Sequence, residues 1–441
     1  MTDVDDPSRR RVLVVTDSVA PRVDGIASST GSMIRGLVEQ KCAVAVIAPG
    51  RRRRTSGTDA LGVVRWDVRS VQTPVDGYPL SLASAGWIAR RIREFRPDVV
   101  SIQTIGPLGV AALRAAERTR TPVALSWHTD FEAYVEKYPL GWLFALPAAL
   151  SVDDGHGRPS RREILSAVAR REPHAFRKIL TRGAAAADLL IVPSAKTAQY
   201  TDLLNVESPV FILPTGVEAS EVGGETLPDD VRASVDGLPR GSRIVYVGRM
   251  SREKGIDFLM DAFGHVLTRR GDATLILVGP CKDRATGLRL DAARARFGSR
   301  LVVTGGVNRR ALLDLYRRVD VFATASLTET QGIAAWEASL AGLPVVARDG
   351  ALRDESPEVF EEMEAGFQEP RGFGDGILRA LGREEPRPAG PRDHVGLPAA
   401  ERARLFLEAV DLRSAADATA PWICPEGVWR PADRPVDPDT V

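Results

Sequence analysis

Short apolar, β-branched runs recur along the first half of the chain and alternate with longer stretches of helical period. The runs are RVLVVT at 11–16, AVAVIAP at 43–49, DVVSIQ at 98–103, PVALSWH at 122–128, DLLIVPS at 188–194 and VFILPTG at 210–216. Near-continuous apolar runs of this length predict strands buried on both faces, as in a parallel sheet. Between them, 87–95 and 108–117 carry amphipathic helical patterns. The βαβα order predicts a doubly wound sheet. A second series repeats the architecture without repeating the sequence: RIVYVGR at 243–249, TLILVG at 274–279, LVVTGG at 301–306, DVFATAS at 320–326 and LPVVAR at 343–348.

Between the two series, 218–242 is rich in Gly, Pro and acids and lacks a sustained apolar run, which reads as a linker. The expected organisation is a first Rossmann-like domain at 1–217, a linker at 218–242, a second Rossmann-like domain at 243–385 and an atypical segment at 386–441. In that last segment a helix over 398–412 is expected. The tail from Pro421, with Trp422, Trp429 and five prolines, reads as extended. A length of 441 residues suits two such domains of roughly 200 residues each.

Composition removes several classes of function. Lys and Arg total 59 against 58 Asp and Glu, so the bulk charge carries no nucleic-acid footprint. Cys42, Cys281 and Cys424 are far apart and unmatched by a histidine cluster, which argues against a disulfide framework and a structural zinc, and fits a reducing cytoplasm. The apolar run from Val12 is short and strand-like, unlike a signal-peptide core. The longest apolar stretch, 139–150, holds two prolines and falls well short of the ~20 residues that span a bilayer. A soluble or peripheral protein is expected.

The segment SLTETQGIAAWEASLAGLPVVARD (326–349) runs from a strand end into a helix and places Glu329 in the loop and Glu337 on the helix. Both carboxylates can then face the carboxyl-edge crevice where open α/β sheets bind ligands. Two acids there suit the hydroxyls of a sugar and a ribose; the same spacing also suits a helix-start acid and a solvated helix acid. YVGRMSREKG puts Arg249 and Lys254 at the equivalent edge after another strand. Fixed guanidinium and ammonium groups can stabilise charge growing on a leaving phosphate without a metal, although loop cations are more often merely solvated. In the first domain, Gly25 and Ile26 lie in the loop after the first strand, where glycine lets backbone approach a ligand. SWHTDFEAY sets His128, Thr129, Asp130 and Tyr134 past the fourth of its long strands.

Together these motifs resemble the family-four retaining glycosyltransferases, and the SLTETQG wording is most similar to the diacylglycerol glucosyltransferase branch. The resemblance covers about 12–349 and implies the GT-B architecture: α/β, two Rossmann-like doubly wound parallel-sheet domains facing across a cleft. It implies that Glu329 contacts the donor sugar near the anomeric centre and that Glu337 binds the nucleotide ribose. The amides of Gly332 and Ile333 would meet the diphosphate, and Arg249 and Lys254 would stabilise its departure. It gives His128 a place beside donor sugar and acceptor, Gly25 a place on the diphosphate or the acceptor, and Asp130 with Tyr134 a place on the acceptor. Backbone at 303–307 would hold the base. The donor it implies is a nucleotide-diphosphate sugar, with no further cofactor and no metal expected.

The acceptor is an unidentified hydroxyl. The apolar stripe of Tyr138, Trp142, Leu143 and Phe144 reads as core or as a groove for a lipid or other apolar aglycone. Arg51 to Arg54 and the set Arg90, Arg91, Arg93 and Arg96 read as a contact for the inner face of a membrane or as a solvated face. Beyond Gly350 the family pattern thins to Pro357, Glu358, Gly366 and Phe367, the segment 152–176 is inserted, and Thr215 stands where asparagine is usual. A non-catalytic sugar-nucleotide binder or an epimerase on the same scaffold is the alternative.

Overall fold

The computed structural model describes residues 6, 8–19, 24–50, 56–72, 79–81, 83–128, 160–170, 183–203, 208–281, 284–352, 367–382, 394–415 and 422–423. The first domain contributes β1 (Arg11–Val15), β2 (Ala43–Gly50), β3 (Ser56–Thr58), β4 (Val64–Gln72), β5 (Pro79–Ser81), β6 (Val99–Ile102), β7 (Val123–Ser126), β8 (Leu189–Val192) and β9 (Val210–Ile212). Then follow β10 (Val217–Glu218), β11 (Arg243–Val247), β12 (Thr274–Val278), β13 (Leu301–Gly305), β14 (Val321–Thr324), β15 (Val345–Ala347), β16 (His394–Val395) and β17 (Trp422–Ile423).

In the first sheet the strand order is β17-β9-β8-β7-β6-β1-β2-β4-β3, with β5 paired to β4. Every pairing from β17 to β4 is parallel, while β3 and β5 pair antiparallel with β4. Val12 to Val15 and Leu189 to Val192 are buried because helices cover both faces, which accounts for their unbroken apolar sequence. The chain winds outward from β1 to β4 and then returns to β6, so the direction of winding reverses between β1 and β6. The second sheet runs β13-β12-β11-β14-β15, all parallel, and reverses between β11 and β14. Such reversals open a crevice at the carboxyl ends of the two strands. Gly25 opens the helix that follows β1, the turn after β11 carries Lys254, and the loop after β14 carries Glu329.

The segment 218–242 is more than a connector. It forms the helices Ala219–Val222 and Asp229–Asp236, and Val222, Leu227, Val231 and Val235 pack into the same core as Val245 and Ile276 of the second sheet. The apolar positions at 227, 231 and 235 are four apart, a one-sided helical stripe obscured in the sequence by flanking Gly, Pro and Asp. The chain passes between the domains twice, and the two passages lie side by side where β10 pairs antiparallel with β16. After the second passage the helix Ala399–Ala415 lies on the helix Gly25–Glu39 of the first domain, with Leu405, Phe406 and Ala409 buried against Met33, Ile34 and Leu37. Arg402, on that helix, is buried and donates to the carbonyl and hydroxyl oxygens of Ser29, both at 2.8 Å. Burial lowers its pKa to about 9, so the guanidinium stays charged at neutral pH. Trp422 and Ile423 add a parallel edge beside β9. No described helix is long and apolar enough to cross a membrane.

Candidate active site

After β11 the chain makes a tight turn through Arg252–Lys254 and enters the helix Ile256–Arg269. The turn carries Lys254 to the crevice, where its Nζ donates to Glu329 Oε1 at 2.7 Å. Glu329 comes from the loop after β14. Burial pushes its carboxyl pKa up, but the charge and hydrogen bond of Lys254, the Ser326 hydroxyl and the charge of Lys196 outweigh it and hold the group below its ordinary value. Glu329 is therefore a carboxylate at neutral pH. Arg249, half-buried and close to Lys254 in sequence, has a terminal nitrogen 3.7 Å from Glu253 Oε1, and its carbonyl accepts from the Tyr246 hydroxyl at 2.8 Å. Arg249 and Lys254 thus stand on the same edge, each facing an acid.

Glu337 sits on the helix Ile333–Leu340, only 4% exposed. It does not pair with the Lys254–Glu329 couple. Its Oε1 accepts from Arg309 Nε at 2.6 Å, and Arg309 also reaches Glu221 at 3.1 Å. Burial raises the Glu337 pKa, and Arg309 only partly offsets this. The two acids seen in the sequence as one crevice pair therefore sit in two separate ion pairs. Arg309 and Glu221 carried no spacing signal, because Arg309 meets Glu337, and Glu221 meets Arg309, only through tertiary packing.

Gly332 precedes this helix with φ +75°, a left-handed conformation that glycine adopts without a Cβ penalty. Opposite it, Gly25 opens the helix Gly25–Glu39, and Asp24 caps that helix by accepting from the amide of Ala27 at 2.8 Å. A Cβ placed on Gly25 would lie 3.6 Å from the Ile333 side chain. Two helix N-termini, one from each domain, thus meet at the crevice, and the positive ends of their dipoles favour an anion between them.

His128 follows β7 and stands beside this junction. Its Nε2 is 3.1 Å from Gln103 Oε1, and the Gln103 amide nitrogen donates to the hydroxyls of Ser101 at 2.8 Å and Ser126 at 3.1 Å. An imidazole protonated at Nε2 would donate to the Gln103 oxygen and keep Nδ1 as an acceptor. Burial lowers the His128 pKa to about 3, aided by the Arg402 charge and opposed by Asp24. His128 is neutral at physiological pH, fit to accept from a hydroxyl but not to supply positive charge. NMR of the protein beside His128→Asn is expected to show no His128 titration between about pH 5 and 8; a resonance titrating near the ordinary 6.5 would refute the assignment. Because the folded pKa lies below the unfolded one, the stabilisation from neutral His128 is complete above about pH 6.5. It is lost as pH falls toward about 3. Thr129, Asp130, Tyr134 and the apolar stripe lie outside the described residues.

Two reversal-point crevices that face each other, one holding a cation–carboxylate pair and both lined by helix N-termini, define a glycosyltransferase of the GT-B architecture. Two family models match the chain in tandem: Glycosyltransferase Family 4 over residues 23–221 and Glycosyl transferases group 1 over residues 241–383. The chain belongs to glycosyltransferase family 4. It is 27% identical over 370 residues to the sulfoquinovosyl transferase of Arabidopsis thaliana, covering 81% of this chain and 63% of that protein. It is 24% identical over 348 residues to the alpha-monoglucosyldiacylglycerol synthase of Streptococcus pneumoniae, covering 76% of this chain and 70% of that one. Among solved structures, the sucrose-phosphate synthase of Thermosynechococcus elongatus shares the fold with a TM-score of 0.61 at 17% identity, covering 92% of this chain and 98% of that chain.

Proposed function

We propose that the protein moves a hexose-type sugar from a nucleoside diphosphate to an acceptor hydroxyl with retention at the anomeric carbon. The observation that carries this reading is the partly buried Lys254–Glu329 ion pair at the second sheet's reversal point, beside the two facing helix N-termini. The diphosphate lies against the amides of Gly332 and Ile333, within reach of Arg249 and Lys254. As the bond from the anomeric carbon to the phosphate oxygen breaks, negative charge grows on the β-phosphate, and these cations stabilise it. The acceptor oxygen bonds to the anomeric carbon from the same face, and its proton passes to the departing phosphate oxygen. Glu329 meets the sugar hydroxyls, Glu337 the ribose, and neutral His128 accepts from a sugar hydroxyl.

For the acceptor we favour a lipid or another apolar aglycone, with Asp130 and Tyr134 as the residues that contact it. The likeness to an alpha-monoglucosyldiacylglycerol synthase supports it. Arg90, Arg93 and Arg96 are exposed on one edge of the first domain and suit an anionic surface at the cytoplasmic face of a membrane. Arg91 is instead engaged, lying over the rings of Trp66 and Trp87.

The test is product analysis with UDP-glucose and GDP-mannose against diacylglycerol in anionic and neutral vesicles and against soluble sugar acceptors. An α-linked product from an α-linked donor is expected, with faster transfer on anionic vesicles. An inverted product would overturn the retaining mechanism, and donor binding without transfer to any acceptor would favour a non-catalytic binder. Turnover is expected to be unchanged by EDTA. Activity lost on chelation and restored by magnesium or manganese would count against leaving-group stabilisation by Arg249 and Lys254 alone.

A further inference from the structure

Lys196 belongs to the first domain, but its ammonium acts on the second. It lies in the first turn of the helix Ala195–Leu203, just after β8, at the carboxyl edge of the first sheet. Its Nζ is 3.2 Å from the carbonyl oxygen of Leu327, 3.2 Å from that of Glu329, and also bonds the Asp349 carboxylate. An ammonium carries three N–H donors, and these three acceptors on the other domain match them in number. Two are backbone groups of the loop that presents Glu329; the third follows the neighbouring strand β15 and is nearly buried. Residues outside that domain's sheet grip the same loop at two further points. Thr330 Oγ1 donates to the His128 carbonyl at 3.2 Å, and Gln331 exchanges two hydrogen bonds with the backbone of Thr215, at 2.6 and 3.0 Å.

We propose that Lys196 is a positioning residue, a clamp by which the first domain shapes the loop of Glu329, so that this carboxylate is set for the donor sugar only when the domains are closed. The inference rests on the placement of Glu329 at the donor sugar. A strand-to-helix loop of this length has no ladder of its own to fix its carbonyls. Charge-assisted bonds from a side chain on the facing domain supply that order for as long as the two domains stay in contact. The Lys196 charge also adds to the groups that keep Glu329 ionised. Closure and completion of the site are then one event, which restricts bond breaking to the enclosed complex.

Lys196→Met is expected to lower kcat at least about 10-fold while changing KM for the donor less than about 3-fold, because the clamp sets a catalytic group and does not touch the nucleotide. Lys196→Arg keeps the charge and should recover part of kcat. Hydrogen exchange of the protein without ligand reads the same clamp independently of turnover: amides at 327–332 should exchange faster in Lys196→Met, with the strands β11 and β12 unchanged. Unaltered exchange in that loop, or a kcat equal to the parent's, would overturn the clamp. So would a loss in KM alone, or failure of Lys196→Arg to exceed Lys196→Met. If the parent transfers sugar from neither UDP-glucose nor GDP-mannose, the functional reading fails by itself, and loop exchange still decides the clamp.

Discussion

Replacing Lys254 by Met or Glu329 by Gln is expected to lower turnover by about 10²- to 10³-fold each, the scale seen when one preorganised charge partner is removed from a site of charge development. The two losses should not add. Lys254 and Glu329 share a 2.7 Å hydrogen bond, so either substitution disturbs the other group, and the double variant should be little worse than the poorer single one. Lys254→Met should have a second signature. Burial alone raises the Glu329 pKa, and Lys254 is the foremost of the groups opposing it. Without the ammonium the carboxyl takes up a proton at higher pH than in the parent, so the acid limb of the pH–rate profile should move upward. Steady-state rates from pH 5 to 9 on the two single variants and the double variant decide it. Strictly additive losses, or an acid limb that stays in place, would show that the pair does not act as a unit.

Much of the fold was legible because buried parallel strands write themselves as apolar runs. The runs at 11–16, 98–103, 243–249 and 320–326 became the four strands flanking the two reversal points, and the residues just after three of them reach the crevice. The segment 218–242 was illegible for a related reason: a short helix burying one stripe needs only an apolar residue every fourth position, and its turn-forming neighbours swamp that signal. Within the site, motif spacing located Lys254 and Glu329 together, since each lies a fixed distance past a strand end. It gave no information on Arg309, Glu221, Gln103 or Lys196. Each of these acts through a partner distant in sequence, and a lone cation or amide carries no periodicity. Spacing also grouped Glu337 with Glu329, but it did not reveal that each acid pairs with a different cation, Glu337 with Arg309 and Glu329 with Lys254.

Gly255→Ala should damage both stability and turnover, although glycine contributes no side-chain contact. Gly255 has φ +65° and closes the turn that carries Lys254, its amide donating to the Arg252 carbonyl at 3.0 Å. An L-residue in this left-handed region is strained, at a cost of about 1–3 kcal/mol. Space adds to the strain: a Cβ at 255 would lie 2.2 Å from the Ala325 carbonyl oxygen and 2.8 Å from its carbon, a backbone group with no rotamer to change. Relief requires the turn or the strand end to move. Ala325 immediately precedes the loop of Glu329, so either movement pulls the Lys254–Glu329 pair apart. A misplacement of about 1 Å can cost on the order of 100-fold in rate. Gly287 is the matched control, because it lies within the helix Arg284–Phe297 and a Cβ there meets nothing within 4 Å. Gly287→Ala should be neutral or stabilising by up to about 1 kcal/mol, since alanine is the better helix former. Urea titrations and initial rates on both variants make the comparison. If Gly255→Ala unfolds at the same denaturant midpoint as Gly287→Ala and keeps the parent's rate, the tight packing of this turn against the Glu329 strand does not govern the site.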